Sequence, residues 1–298
     1  MKINSKFKVQ SSKFLIVLLI IFIGYLFFIS SRNSLVFRKK DRLNIVFYGS
    51  KIAFYSIGFD DGVNYFINYP SEVKILVPGG FGYYRLGALG KLINLEKQPE
   101  LYRRSFSTIN SNFIDLYFYP VKNEVYYNKE ETQIFLPLLS QIATFNSNAN
   151  ILDRMYILFI FASKQKSQFL NMSYLPIKKG RNGEILDERI FSDKLIGYFY
   201  QKTYRNENKN VQIIYKNNEE NARLIAKIIE GQGIRVVDFA YKKSNDANCQ
   251  IIINEKTISQ TAKGLKNFFN CPVVKGETSS YDIIFMLGNV EHQWEVGS

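Results

Sequence analysis

The chain is poor in the side chains that do most catalytic chemistry near neutral pH. It holds one histidine (His292), two cysteines, one tryptophan and seven prolines in 298 residues. One histidine in an apparently loose C-terminal stretch removes Ser/His/Asp and Cys/His catalysis and most zinc sites. Cys249 and Cys271 have no metal-ligand spacing around them. Two readings of the pair stand: a disulfide, which outside the cytoplasm closes a loop of about 22 residues and contributes ~3 kcal/mol, or two buried thiols. Long tandem repeats and low-complexity segments are lacking. Alanine is scarce while Phe, Tyr, Ile, Asn and Lys abound, a bias that an AT-rich genome produces without any functional cause.

What is present begins with a 46% apolar and 15% aromatic composition, which excludes wholesale disorder and is enough for two ordinary domains. The most informative segment is the uninterrupted apolar run from Phe14 to Ile29, FLIVLLIIFIGYLFFI. It spans roughly 24 Å, just short of a ~30 Å hydrocarbon core, and Tyr25, Ser30 and Ser31 extend it at the interface. Lys2, Lys6, Lys8 and Lys13 precede it, and bulky residues rather than a small-residue cleavage site end it. An uncleaved anchor is therefore expected rather than a removed signal peptide. Arg32, Arg38, Lys39, Lys40 and Arg42 put positive charge on the far side too. The short leader and the large following domain set the orientation: amino terminus in the cytoplasm, bulk outside, single-pass in the plasma membrane.

The net charge is +13, and residues 1–210 carry all of it, because 211–288 hold ten Lys and Arg against eight Asp and Glu and the tail is acidic. A positive field on the membrane-proximal part suits anionic headgroups or anionic polymers. No helix-turn-helix pattern is found, and nucleic acid is not an expected partner.

Buried strands are read at Leu43–Tyr48, Ile52–Ile57, Val63–Asn68 and Val73–Val77, and a strand pair at Ile114–Tyr119 and Val125–Tyr127. Helices are read at Tyr84–Leu95, Glu131–Thr144, Leu152–Leu170 and Ile190–Thr203, with Pro176–Glu184 as a turn-rich linker. The last part alternates more cleanly. Strands Val211–Tyr215, Ile234–Phe239, Cys249–Asn254 and Tyr281–Leu287 enclose helices Asn217–Glu230 and Thr257–Phe269. That order, β-α-β-β-α-β, is the split pattern of a ferredoxin-like sandwich.

This last unit resembles the C-terminal domain of LytR-type envelope proteins, on VQIIYKNNEENARLIAKIIEGQGIRVV and the closing YDIIFMLG. Residues from about 43 to 170 then resemble a divergent LytR-CpsA-Psr (LCP) domain. The resemblance implies a single membrane helix followed by extracytoplasmic domains. It also implies a family chemistry in which Mg²⁺ bridges a polyprenyl pyrophosphate while glycopolymer is transferred to peptidoglycan. Acidic residues would hold the cation and arginines the phosphates. Family members carry an Arg-Ser-Asp-Thr-like motif after the first strand and a Pro-Arg-Asp motif after the third. Here Ser50-Lys51-Ile52 and Pro70-Ser71-Glu72 fall at those places. A lysine thus replaces the metal aspartate and a serine the phosphate arginine.

Several residues remain as candidates for ligand contact. Lys51 offers a point charge to phosphate, Glu72 retains a carboxylate, and Arg85, Arg103 and Arg104 suit an anionic polymer; for each, a solvated side chain is the competing reading. Asp60-Asp61 as a cation pair, and the Gly79-Gly80-Phe81-Gly82 loop as a phosphate cradle, are weighed against plain turns. The aromatic density of 131–170 suits either a polyprenyl groove or core packing.

The expectation is an α/β chain. Residues 1–42 comprise the cytoplasmic tail, transmembrane anchor and juxtamembrane segment. An LCP-like α/β/α domain occupies 43–205, a LytR C-terminal-like ferredoxin-like domain 206–288, and a tail 289–298. The expected role is a pseudoenzyme of the cell envelope that binds or organises cell-wall polymer or its lipid-linked precursor, with no catalytic residue, metal or cofactor. It would recruit any protein partner through the C-terminal domain. The alternative is a phosphotransferase attaching polyprenyl-phosphate-linked glycopolymer to peptidoglycan, with Mg²⁺.

Overall fold

The computed structural model describes residues 17–18, 21–22, 24–25, 34–38, 40–122, 124–127, 133–180, 183–243 and 248–297. The expected cytoplasmic tail and most of the apolar run lie outside the described residues. The six that belong to the run are helical and exposed. Among the described residues no helix is long and apolar enough to cross a membrane.

The first unit is built on strands β1 (Arg42–Phe47), β2 (Ile52–Gly58), β3 (Asn64–Tyr69), β4 (Lys74–Val77), β5 (Gly82–Arg85) and β6 (Leu116–Tyr119). Helices α1 (Leu89–Glu96) and α2 (Glu100–Asn110) stand between β5 and β6. After β6 come α3 (Leu139–Thr144), β7 (Asn146–Ser147), α4 (Ile151–Ser163), β8 (Phe169–Asn171), β9 (Ile177–Gly180), β10 (Gly183–Leu186), α5 (Glu188–Leu195) and α6 (Lys202–Glu207). The main sheet runs β7-β6-β1-β2-β3-β8, and a smaller one β5-β4-β10-β9. Strands β1 and β2 are buried along their whole length, as strands covered on both faces are. Alternation divides them: Val46 and Tyr48 face α1, α2 and α5, while Leu43, Ile45 and Phe47 face α3 and α4. The unit is therefore a three-layer α/β/α arrangement, as expected.

The details differ where polar residues interrupt the local pattern. Tyr84 lies in β5, paired with Ile75, so the helix begins only at Leu89 after a 3-10 turn. Pro176–Glu184 is no linker: β9 and β10 form a hairpin there, and β10 pairs with β4 through Ile185 and Lys74. Val125–Tyr127 forms no strand; it crosses the α1 entry, with the Tyr126 N–H donating to the Gly87 carbonyl at 2.9 Å.

The second unit comprises β11 (Asn210–Tyr215), α7 (Glu219–Gly231), β12 (Arg235–Tyr241), β13 (Gln250–Ile253), α8 (Gln260–Phe269), β14 (Val273–Lys275), β15 (Ile283–Met286) and α9 (Val290–Gln293). Its sheet runs β12-β11-β15-β13-β14. This corrects the ferredoxin-like expectation. In a split β-α-β the strands joined by a helix are separated by another strand. Here α7 joins the adjacent parallel pair β11–β12 and α8 the adjacent parallel pair β13–β14. Strand β15 enters between the two units, parallel to β11 and antiparallel to β13. The three-residue β14 was too short to register in the sequence. Cys249 and Cys271 form a disulfide, with Cα atoms 5.4 Å apart, tying the start of β13 to the end of α8.

The tail is docked rather than loose. Val290 and Trp294 pack into the core of the second unit, and the Glu295 carbonyl accepts the Gly79 and Gly80 N–H groups at 2.9 and 3.0 Å. The glycine loop considered as a phosphate cradle is thus engaged by the chain's own backbone. The two units share an interface elsewhere as well. Asn112 donates to the carbonyls of Phe199 and Gly231 at 2.9 Å, and the Phe113 N–H donates to Gln232 Oε1 at 3.0 Å. A Cβ on Gly231 would meet the Ser111 carbonyl at 1.7 Å, so only glycine allows that approach.

Candidate functional site

The candidate residues Lys51, Ser71, Glu72 and Arg85 come together at one end of the main sheet. Strands β1 and β3 both pair antiparallel with β2, and β6 runs parallel to β1, so their carboxyl ends emerge on one edge. Ile52 pairs with Tyr69, which sets Lys51 across from Pro70. Glu72 and Arg85 meet as an ion pair at 3.3 Å, and the Arg85 guanidinium lies 4.4 Å from the Tyr127 ring centre. The hydrogen bond that Arg85 donates to the Tyr127 hydroxyl, more than the charge of Glu72, holds Arg85 still more firmly protonated. Lys51 turns its ammonium over the Phe135 ring at 4.9 Å. Ser71 is buried in the β3–β4 turn, where its carbonyl accepts the Gly87 N–H at 2.7 Å.

Behind this edge tyrosine rings fill the space. Tyr102 packs against Tyr48 and Tyr119, each with ring centres 4.8 Å away, and Tyr48 against Tyr126 at 5.7 Å. The Tyr48 hydroxyl reaches the Leu86 and Gly87 carbonyls and accepts the Gly90 N–H at 2.8 Å. Burial pushes the phenols of Tyr48, Tyr102 and Tyr117 well above the ordinary tyrosine range, so they are protonated donors and not bases.

The donors at this edge do not fit Mg²⁺, which takes oxygen ligands in near-octahedral geometry. They are an ammonium, a serine buried in a turn and one carboxylate already held by an arginine. Asp60 and Asp61 offer no site either: Asp60 pairs with Lys202 at 2.7 Å and Asp61 with Arg42. Among the described residues no group of three His, Cys, Asp or Glu side chains is placed to hold a metal.

Arg103 and Arg104 stand elsewhere, at the junction of the two units, and diverge. Arg104 is buried on α2 and donates to the Gln293 carbonyl at 2.6 Å and to Gln98 at 2.9 Å. Loss of water lowers its pKa from the usual arginine value. Arg103 is half-exposed, paired with Glu100 at 2.7 Å and lying 5.1 Å from the Phe268 ring centre.

Arg103 borders a cleft of about 620 Å³ between α2, α6, α8 and the segment before β1. Arg38, Lys40 and Lys263 border it too, and Asp115, already paired with Lys40, is the one carboxylate among its lining residues. Arg38 and Lys263 have no carboxylate partner among the described residues. A second cavity of about 610 Å³ shares Arg103, Asn267 and Phe268 and continues toward Trp294. The sequence showed the basic stretch after the apolar run but not this convergence. Lys263 sits in an amphipathic helix where a lysine reads as solvated, and no local pattern joins it to residues 38–40.

No family model matches the sequence, and no curated protein matches it. Similar solved structures are found at low identity. The transcriptional regulator yvhJ of Bacillus subtilis is 10% identical, with 53% of this chain and 94% of that one covered at a TM-score of 0.36. B. subtilis TagT is 9% identical, with 52% and 89% covered at 0.37. A LytR-CPS2A-psr family protein, YwtF (TagT), with bound octaprenyl pyrophosphate lipid is 8% identical, with 52% and 87% covered at 0.36. These similarities extend over about half of the chain, and none of them assigns it a function.

Proposed function

We propose that this chain is a membrane-anchored, extracytoplasmic envelope protein that binds anionic cell-wall polymer, or the phosphate-bearing end of its lipid-linked precursor, without turning it over. One observation carries the reading: four cations, Arg38, Lys40, Arg103 and Lys263, border a single cleft whose one lining carboxylate is already paired. Phe113 and Phe268 give that cleft an apolar floor, as binding pockets have. Lys51 and Ser71 at the sheet edge, with Glu72 held by Arg85, favour binding over phosphoryl chemistry. The disulfide suits an oxidising compartment, in keeping with bulk outside the cytoplasm. A protein partner is assigned to the second unit, whose edge strand β12 leaves Val237 and Tyr241 exposed.

The test uses the full chain in detergent and a poly(glycerol phosphate) probe. Affinity should fall with salt, and Arg38→Gln, Arg103→Gln and Lys263→Gln together should weaken it about tenfold or more. Unchanged affinity in the triple variant overturns the cleft. The phosphotransferase alternative is tested on the same preparation with polyprenyl-linked glycopolymer and Mg²⁺ or Mn²⁺. Turnover that disappears in Glu72→Ala would replace the noncatalytic reading.

A further inference from the structure

Helix α4, ILDRMYILFIFAS, is apolar nearly all round, yet only one side of it is covered. Ile157, Ile160 and Phe161 are buried in the core, where Phe161 packs edge-on against Phe47 and Tyr55 at 5.8 and 5.2 Å. On the other side Ile151, Met155 and Phe159 recur every fourth residue, which puts them in one stripe. They are 68%, 62% and 74% exposed. Val36, Phe37 and Phe59 are exposed as well, and Phe59 lies 6.1 Å from the ring of Tyr156 on α4. Contiguous exposed apolar surface of this kind marks a partner or a membrane.

Two features point to the partner. The Asp153 carboxylate in the first turn of α4 accepts both the Ser34 hydroxyl and the Leu35 N–H at 2.7 Å. The chain that follows the apolar run is therefore fastened to α4 itself. Between Ile29 and Ser34 the chain can extend at most ~18 Å, so the stripe is within reach of the bilayer that the run would enter. Arg38, which shares a pocket with Val36, Phe59 and Tyr156, offers charge to anionic headgroups.

We infer that α4 lies on the outer surface of the membrane, with Ile151, Met155 and Phe159 sunk roughly 5–10 Å into the headgroup–acyl boundary. This rests on the proposed anchor, and it fixes how the unit sits over the lipid. The cleft, which shares Leu35, Arg38 and Lys40 with this region, is then held close to the headgroups.

The test places a tryptophan in the stripe of the full chain reconstituted into phosphatidylcholine–phosphatidylglycerol vesicles. Trp294, the one native tryptophan, is buried, so neither quencher reaches it and its constant emission is subtracted. In Phe159→Trp, and separately in Ile151→Trp, lipids brominated in the upper acyl chain should quench the added emission about twofold, with little quenching by aqueous iodide. Tyr241→Trp, on β12, should show the reverse. Iodide quenching at 159 and 151 without any effect of brominated lipid overturns the inference, because the face is then wet. Protection from both quenchers also overturns it, because a second copy or another protein then covers the stripe. Flotation after a carbonate wash judges the anchor separately. A chain that floats yet is quenched by iodide at 159 keeps the anchor and loses the docking. A chain stripped by carbonate loses the anchor, while brominated-lipid quenching before the wash still decides the docking.

Discussion

The buried Glu291 carboxylate accepts the backbone N–H of Asn218 at 2.6 Å, and with it those of Lys216 and Asn217 at 2.8 and 3.0 Å. Asn218 is the N-cap of α7. A residue six places before Gly297, the last described residue, thus satisfies the N-cap N–H of a helix some seventy residues earlier and two N–H groups of the turn that leads into it. A carboxylate is favoured there both by the hydrogen bonds and by the positive end of the helix dipole.

Glu291→Ala should leave three donors unpaired in a dry environment and cost about 2–4 kcal/mol. The urea midpoint should fall with little change in slope. Glu291→Gln, which keeps an acceptor, should recover part of the loss. A midpoint unchanged in Glu291→Ala would show that water replaces the carboxylate freely.

Arg104 grips the same tail from the other unit through the Gln293 carbonyl. Arg104→Met should cost about 2–3 kcal/mol and loosen the strap that holds Gly79 and Gly80. Hydrogen exchange at those two amides should then quicken about tenfold or more. Equal exchange rates in the variant and the parent would mean that Glu291, Val290 and Trp294 hold the tail without Arg104.

Reduction of Cys249–Cys271, or the paired change of both to serine, should cost ~3 kcal/mol by freeing a loop of 22 residues. Thermal unfolding with and without a reductant measures this. The second unit should respond more than the first, because both cysteines lie in its core.

Glu188 carries a pH dependence. Burial, opposed by the Leu76 N–H and the Lys227 charge, pushes its pKa up from 4.5 to about 7. The folded chain therefore holds this proton more tightly than the unfolded chain. The stability it contributes is complete below about pH 4.5 and is lost as pH rises through about 7, by at most about 3 kcal/mol. Glu188→Gln should flatten that slope between pH 5 and 8 in denaturation curves. A slope unchanged in the variant would assign the dependence to another group.

Much of the fold was legible because its signals are local. Strands β1 to β4 and helices α7 and α8 fall within a few residues of where alternation and helical spacing put them. Helix α2 escaped notice because its buried residues include Ser105, Ser107, Thr108 and Asn110, which break the apolar period. The β9–β10 hairpin escaped because its strands are short and charged, and its pairing with β4 is long-range. Of the candidate residues, Glu72 and Arg85 pair with one another across thirteen positions of chain, which no local pattern signals, while Arg104 spends its donors inside the protein.

The sequence by itself determined the apolar run and its basic flanks, and the two α/β units. These depend on composition and on periods of two and 3.6 residues, which neighbouring residues set among themselves. Tertiary structure alone decided that β15 enters between two parallel pairs and that the tail is clamped by Glu291 and Arg104. It also decided that Arg38, Lys40, Arg103 and Lys263 share one cleft and that no other element covers the second apolar side of α4. Each of these depends on which distant segments meet, and that choice is made by burial within each unit and at the junction between them. No short stretch of chain encodes it.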